Sequence, residues 1–289
     1  MNVKIAIVGD VHLHFNQRDV EYFNQSDYSL ILFVGDLINY RSTGLAAMGK
    51  LLGQLEAPTY FIPGNHDGTS LGQLVAEVVD QPWLRTITSL GSTTRVRSME
   101  ERLSNITTCG YSLHPFEING LTFDMVAARP HAMGGGKLSF PRQLKNKFGI
   151  ASMAESSQRL IELVDQSTAK RILFLAHNGP AGLGAKRHDI WGCDFRKGEG
   201  DFGDPDLQAA IKYAITQGKE VCAVVAGHMH HALKGGGTRK WHQERDQVHY
   251  INAARVPRIE REENNWIHHH VRLELTDHTT NIESLAIAL

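Results

Sequence analysis

The chain has 289 residues, 30 basic and 31 acidic side chains and 42% hydrophobic content, an ordinary globular profile that excludes a disordered or collagen-like polymer. A net charge of −1 argues against broad nucleic-acid binding, which leaves a basic footprint. Cys109, Cys193 and Cys222 are odd in number and scattered, so they set no disulfide framework.

In chain order, the apolar run at 4–8 reads as the first strand. It starts close to Met1, with no basic head and small-residue cleavage site before it, so no secretory signal is expected. The longest apolar runs fall short of the ~20 residues that cross a bilayer. A cytoplasmic protein with no membrane partner is therefore expected. Further buried-strand runs follow at 30–34, 59–62, 171–175 and 221–226. Helices are expected at 17–24, 42–55, 70–79, 152–164 and 205–216. Ser42, Ser70 and Ser152 lie near three of the starts, and Pro205 suits a first turn. Strands alternating with helices predict an α/β fold. From Thr93 the pattern changes: 93–97, 106–109, 121–126, 248–251, 266–275 and 282–287 read as strands without long helices between them, so a second, mixed sheet is expected.

The strand runs share one feature. Asp10 and His12 follow the first, Asp36 the second, Asn65, His66 and Asp67 the third, His177 the fourth, and His228 and His230 the fifth. Carboxylate, imidazole and amide oxygen are the mixed donors that suit borderline divalent ions such as Mn²⁺, Fe²⁺ and Zn²⁺. In Asp10-Val11-His12 and His228-Met229-His230 the donors are two apart, so on extended backbone they share a face and can chelate one ion. Strand C-terminal ends are where open α/β sheets bind ligands. The blocks run from Asp10 to His230, and a domain boundary inside that interval would cut the site. One domain over 1–289 is the reading.

Taken in order, D-x-H, G-D, G-N-H-D, H and G-H-x-H, as these residues stand here, resemble the calcineurin-like metallophosphoesterase superfamily. The resemblance implies a four-layer α-β-β-α sandwich of two mixed sheets, with a dinuclear centre at the strand ends. It implies one metal held by Asp10, His12, Asp36 and His230, and a second by Asp36, Asn65, His177 and His228, with Asp36 bridging. His66 matches the family's catalytic histidine and Asp67 the acid beside it. His114, His131 and His188 also lie in the interval of the fourth block; His177 is preferred because it ends a buried-strand run. The implied chemistry is phosphoric-ester hydrolysis: cations about 3.5–4 Å apart activate a bridging hydroxide for attack on phosphorus. His66 then protonates the leaving group, and Asp67 orients that imidazole or raises its pKa. The cofactor expected is two divalent ions, Mn, Fe or Zn, and the substrate a small phosphomonoester, phosphodiester or nucleotide.

Outside these blocks, Arg129 and His131 are candidate substrate residues, since a guanidinium fork suits phosphate. The glycine-rich segments 127–149 and 178–204 border the expected pocket and are read as setting substrate choice. The cluster Lys137, Arg142, Lys145 and Lys147 keeps a nuclease as the second reading, and a catalytically silent scaffold for protein partners as the third. His268, His269 and His270 read as an ordinary strand with one or two imidazoles facing solvent.

Overall fold

The computed structural model describes residues 2–39, 44–79, 81–195 and 198–289. The first half runs β1 (Asn2–Val8), α1 (Gln17–Gln25), β2 (Leu30–Phe33), α2 (Leu45–Leu52), β3 (Thr59–Phe61), α3 (Leu71–Val79), α4 (Pro82–Thr88), α5 (Ser92–Arg102) and β4 (Thr107–Thr108). It continues through β5 (Ser112–Ile118), β6 (Leu121–Ala127), α6 (Pro141–Phe148), α7 (Met153–Gln166), β7 (Arg171–Leu175), α8 (Pro205–Thr216) and β8 (Glu220–Ala226). The chain ends in β9 (His242–Arg245), β10 (Val248–Asn252), β11 (Ile259–Glu262), β12 (Asn265–Thr276) and β13 (Thr280–Ala288). None of the described helices is long and apolar enough to cross a membrane.

Among the described residues two mixed sheets form. One has the order β11-β12-β1-β2-β3-β4, with β13 also on β12; the other is β5-β6-β7-β8-β10-β9. Within the first, β1, β2, β3 and β4 run parallel and β12 antiparallel to β1, in the register Ile5↔Leu273. The inner faces meet in one core that joins Ile5, Leu32 and Leu273 to Phe123, Leu173 and Val225. The outer face of the first sheet packs Ile31 and Phe33 against Val20 and Phe23 of α1 and Met48 of α2. That of the second packs Phe174 and Val224 against Leu160 of α7 and Ile211 of α8. The result is the four-layer α-β-β-α arrangement. Entry to the helices follows local chemistry. Asn16 and Asp19 form a reciprocal capping box on α1, Ser152 Oγ accepts from Glu155 N at 3.2 Å, and Pro205 sits in the first turn of α8.

Several expectations change. Residues 93–97 lie in helix α5, because Ser92, Val96 and Met99 recur at helical spacing and are buried on one face, which overrides the β-branched composition. The run at 266–275 joins the first sheet beside β1 and the run at 282–287 pairs with it in turn, whereas the strands leading to His177 and His228 belong to the second. The helix expected at 42–55 is α2, and its expected start at Ser42 lies outside the described residues.

His268, His269 and His270 do not face solvent: all three are buried, since β12 is an interior strand with Asp19 and Phe23 of α1 packed against His268 and His270. His268 Nδ1 stands 2.8 Å from Asp19 Oδ1, His269 Nε2 2.8 Å from Glu260 Oε1, and His270 Nε2 2.7 Å from the Tyr28 hydroxyl. Burial, reinforced by the charge of Arg258, lowers His270 to about 3. An unfolded histidine titrates near 6.5, so below that pH the unfolded chain takes up a proton that folded His270 refuses. Its effect on stability is therefore absent above about pH 6.5 and grows as pH falls, by about 1.4 kcal/mol per unit. Urea unfolding between about pH 4.5 and 6 should show a shallower pH slope in His270→Phe, by about 1 kcal/mol per unit. An unchanged slope would contradict this assignment.

Candidate metal centre

The chain bends sharply as it leaves three of the strands that carry the expected donors, β1, β2 and β8. Asp10, His12, Asp36 and His228 have φ of 41°, 45°, 49° and 69°, in the left-handed region that costs a non-glycine residue about 1–3 kcal/mol. Four strained donors on three separate loops turn their side chains toward one point above the edge shared by the two sheets. Glycine makes that approach possible. A Cβ on Gly64 would stand 2.2 Å from Asp36 Oδ1, and one on Gly35, at φ 104°, would stand 2.1 Å from His177 Nδ1.

Asp36 is central. Its Oδ2 lies 4.0 Å from His12 Nε2 and 3.9 Å from His66 Nε2, while its Oδ1 lies 3.7 Å from His177 Nε2 and accepts from His66 N at 2.9 Å. The two carboxylate oxygens thus face different histidines. Three groups of side chains are close enough to hold a cation: Asp10, His12 and His230; His12, Asp36 and His66; and Asp36, His177 and His228. Asn65 joins the last group, with Oδ1 2.9 Å from His177 Nε2.

Hydrogen bonds behind these donors aim their lone pairs inward. His177 Nδ1 donates to Val34 O at 2.7 Å, which turns its Nε2 inward to 2.9 Å from the oxygen of Asn65. His12 Nδ1 lies 3.1 Å from Asn39 Oδ1, and its Nε2 lies 3.4 Å from His230 Nε2. Asp10 Oδ1 accepts from His228 N at 3.0 Å, but its buried Oδ2 has no hydrogen-bond partner, with His230 Nε2 3.3 Å away. Converging acceptors and an orphaned buried carboxylate oxygen cost free energy unless a cation lies among them. The donor set and its geometry therefore fit divalent ions.

The electrostatics agree. Burial alone would raise Asp10, but the neighbouring His230 imidazole, then His177 and His12, hold it well below the usual carboxylate range. Burial also opposes ionisation of Asp36, which His177 and His66 outweigh. Burial lowers His228 to about 3, keeping that imidazole neutral as a ligand must be. His66 is lowered by burial against the raising charge of Asp36. Asp10, Asp36 and His177 are buried, whereas the His230 side chain is 43% exposed and that of His66 21%. The cluster opens to solvent on the side of His12, His66 and His230.

Other expected residues lie elsewhere or do other things. Asp67 is fully buried and accepts from Gly64 N at 2.8 Å and Ile38 N at 3.2 Å, so both carboxylate oxygens tie the second and third loops together. Burial, then the charge of Asp36, pushes it well above the ordinary carboxyl value. Arg129 corrects the substrate expectation. It is 2% exposed, its Nε donates to Asp206 Oδ2 at 2.8 Å and its Nη2 to Asp204 Oδ1 at 2.6 Å, so its fork is taken up inside the protein. His131 is likewise buried beneath the third loop, donating through Nδ1 to Gly64 O at 2.9 Å while its N donates to Pro63 O at 2.7 Å. It supports the loop instead of offering itself to substrate. His114 sits on β5 beside Ser112, and the carbonyl of His188 accepts from Lys240 N. Neither joins a metal-capable group among the described residues.

The two glycine-rich segments pack together, with Gly135 N donating to Phe202 O at 3.1 Å and Asn178 Nδ2 to the same oxygen at 2.9 Å. Asn39, which was not expected at the site, and Trp191 of the 178–204 segment both support it from behind. Asn39 backs His12, and the Trp191 indole donates to Gly227 O at 3.4 Å beneath the last block. Asn39 stands three residues past Asp36 with no signal of its own, and Trp191 is far in sequence from the glycine it supports.

A family model for calcineurin-like phosphoesterase matches residues 3–232. No curated protein matches the chain. A solved dimetal phosphatase from Danio rerio is 12% identical, with 99% of this chain and 98% of that chain covered and a TM-score of 0.53. An archaeal phosphodiesterase is 13% identical, covering 99% and 100%, with a TM-score of 0.42. A metallophosphoesterase from Sphaerobacter thermophilus is 11% identical, covering 99% and 88%, with a TM-score of 0.36. At 12% identity the likeness to the first of these is one of fold.

Proposed function

The chain belongs to the calcineurin-like phosphoesterase family, and we propose that it hydrolyses a small phosphomonoester, phosphodiester or nucleotide at a two-ion centre. Asp10, His12, Asp36 and His230 would hold one ion, and Asp36, Asn65, His177 and His228 the other. The observation that carries this reading is Asp36, whose Oδ2 faces His12 while its Oδ1 faces His177. Residues 1–289 are taken as one domain, a reading supported by the core that the two sheets share.

When bound, the ions supply charge neutralisation at the phosphoryl oxygens and lower the pKa of water so that it can serve as nucleophile near neutral pH. The chain's own residues do the rest. His66, partly exposed beside Asp36 Oδ2, donates a proton from Nε2 to the leaving-group oxygen. Its lowered pKa makes the protonated ring a stronger acid. Asp67 acts as a positioning residue by fixing the backbone of Gly64 and Ile38, and with them the loops of Asn65, His66 and Asp36. The buried floor excludes water around Asp36 and His177, where charge–charge attraction is strongest. Manganese is the first ion to supply, since the mixed oxygen and imidazole set suits it. Buried free cysteines support a reducing compartment, and the cytoplasm is our reading.

The test is hydrolysis of p-nitrophenyl phosphate and bis-p-nitrophenyl phosphate by chelated protein after Mn²⁺ is returned. A higher rate on the first assigns a monoesterase and on the second a diesterase. No hydrolysis of either, with ions bound, would count against a small-ester hydrolase.

A further inference from the structure

The α3–α4 hairpin is folded inside out. On α3, Leu71, Val75, Val78 and Val79 recur at helical spacing and are all exposed, Val78 at 64%. On and just after α4, Trp83, Ile87 and Leu90 repeat the pattern, at 63%, 57% and 64%. The polar side chains point the other way. Gln73 is buried and its Oε1 accepts from Arg95 Nη2 at 2.5 Å, and Glu77 pairs with Arg85 at 3.0 Å. With Gln143 of α6 they line a solvent-open pocket of about 260 Å³. A helix pair normally buries its apolar stripe and exposes its polar one. Here the apolar stripe has no cover within the chain among the described residues.

We propose that this outward face is the contact through which two copies of the chain associate about a two-fold axis. The chemistry selects that occupant. Among the described residues of 71–90 the charged side chains are Glu77 and Arg85, which pair with each other at 3.0 Å. Helices that lie on membranes carry lysine and arginine beside the apolar stripe, whereas Arg142 of α6 donates to Thr86 O and Ser89 Oγ and lines the polar side of the hairpin with Gln73 and Glu77. An uncharged apolar stripe is complementary to itself, as a two-fold contact requires. The exposed area of the seven side chains is on the order of 700 Å², close to the about 800 Å² that each partner buries in a stable interface. Two such hairpins pack as a four-helix layer, ridge into groove. Nothing in this assignment depends on the hydrolytic reading.

Sedimentation velocity of the whole protein across the micromolar range tests it. The wild type should sediment at twice the 32.2 kDa of the chain. Val78→Lys with Ile87→Lys should sediment as a monomer with an unchanged far-UV spectrum. Trp266→Lys, which removes an exposed apolar group on β12, should remain dimeric. Hydrogen exchange on the wild type, concentrated against dilute, reads the same contact without substitution, and protection should appear at 71–90. A wild type that is monomeric throughout would overturn the proposal, as would a double variant that stays dimeric. So would monomeric wild type that floats with anionic phosphatidylserine vesicles, because the face would then belong to a membrane.

Discussion

Asp36→Asn should lose both ions together. The carboxylate is the one group that faces His12 and His66 through Oδ2 and His177 through Oδ1. An amide would keep an oxygen to accept from His66 N, so the loop would stay in place while the bridging charge disappeared. The first ion would then be left with Asp10 and two imidazoles, and the second with two imidazoles and the Asn65 amide. Charge neutralisation by bound cations is worth several kcal/mol in phosphoryl transfer, and about 1.4 kcal/mol is tenfold in rate. Hydrolysis should fall on the order of 10³-fold, with metal content by elemental analysis falling from both positions and the far-UV spectrum unchanged. Full metal content in the variant would remove Asp36 from the bridging position. Loss of a single ion would place it in one site only.

His66→Ala should have the opposite signature, keeping metal while losing turnover. Its ring lies at the open side of the centre, 5.1 Å between centroids from His12 and edge-on to it, with Nε2 near Asp36 Oδ2. General acid catalysis contributes about 10²–10⁴-fold, and it matters most where the departing oxygen is strongly basic. The loss should therefore approach that range for an alkyl phosphate and shrink toward unity for p-nitrophenyl phosphate, whose leaving group needs no proton. The slope of log kcat against leaving-group pKa should steepen in the variant. An equal loss on every ester would assign His66 to binding. A loss of metal would assign it to the ion shared with His12 and Asp36, a grouping the geometry also allows.

The donor positions were legible in the sequence because each sits where a buried strand ends, and the glycines beside them leave room that a Cβ would fill. What the strand pattern left hidden is that the strands leading to these donors come from two sheets. A parallel strand reads the same in either sheet, and only pairing with distant residues such as Leu273 decides which it joins. Arg129 was misread for a similar reason. Its partners Asp204 and Asp206 lie 75 and 77 residues away, and without them an arginine beside a glycine-rich loop resembles a phosphate ligand. The histidines of β12 were misread because Asp19, Tyr28 and Glu260, the groups that make burial of their polar atoms tolerable, come from other elements. Residues 93–97 show local β propensity giving way to one buried helical face.

The most direct measurement counts divalent ions per chain in protein stripped by chelation and reloaded with Mn²⁺, with hydrolysis followed on the same samples. Two ions per chain, with activity appearing only as the second is bound, is the expected result. One ion at full activity, or activity that persists in the stripped protein, would contradict a two-ion centre built on Asp36.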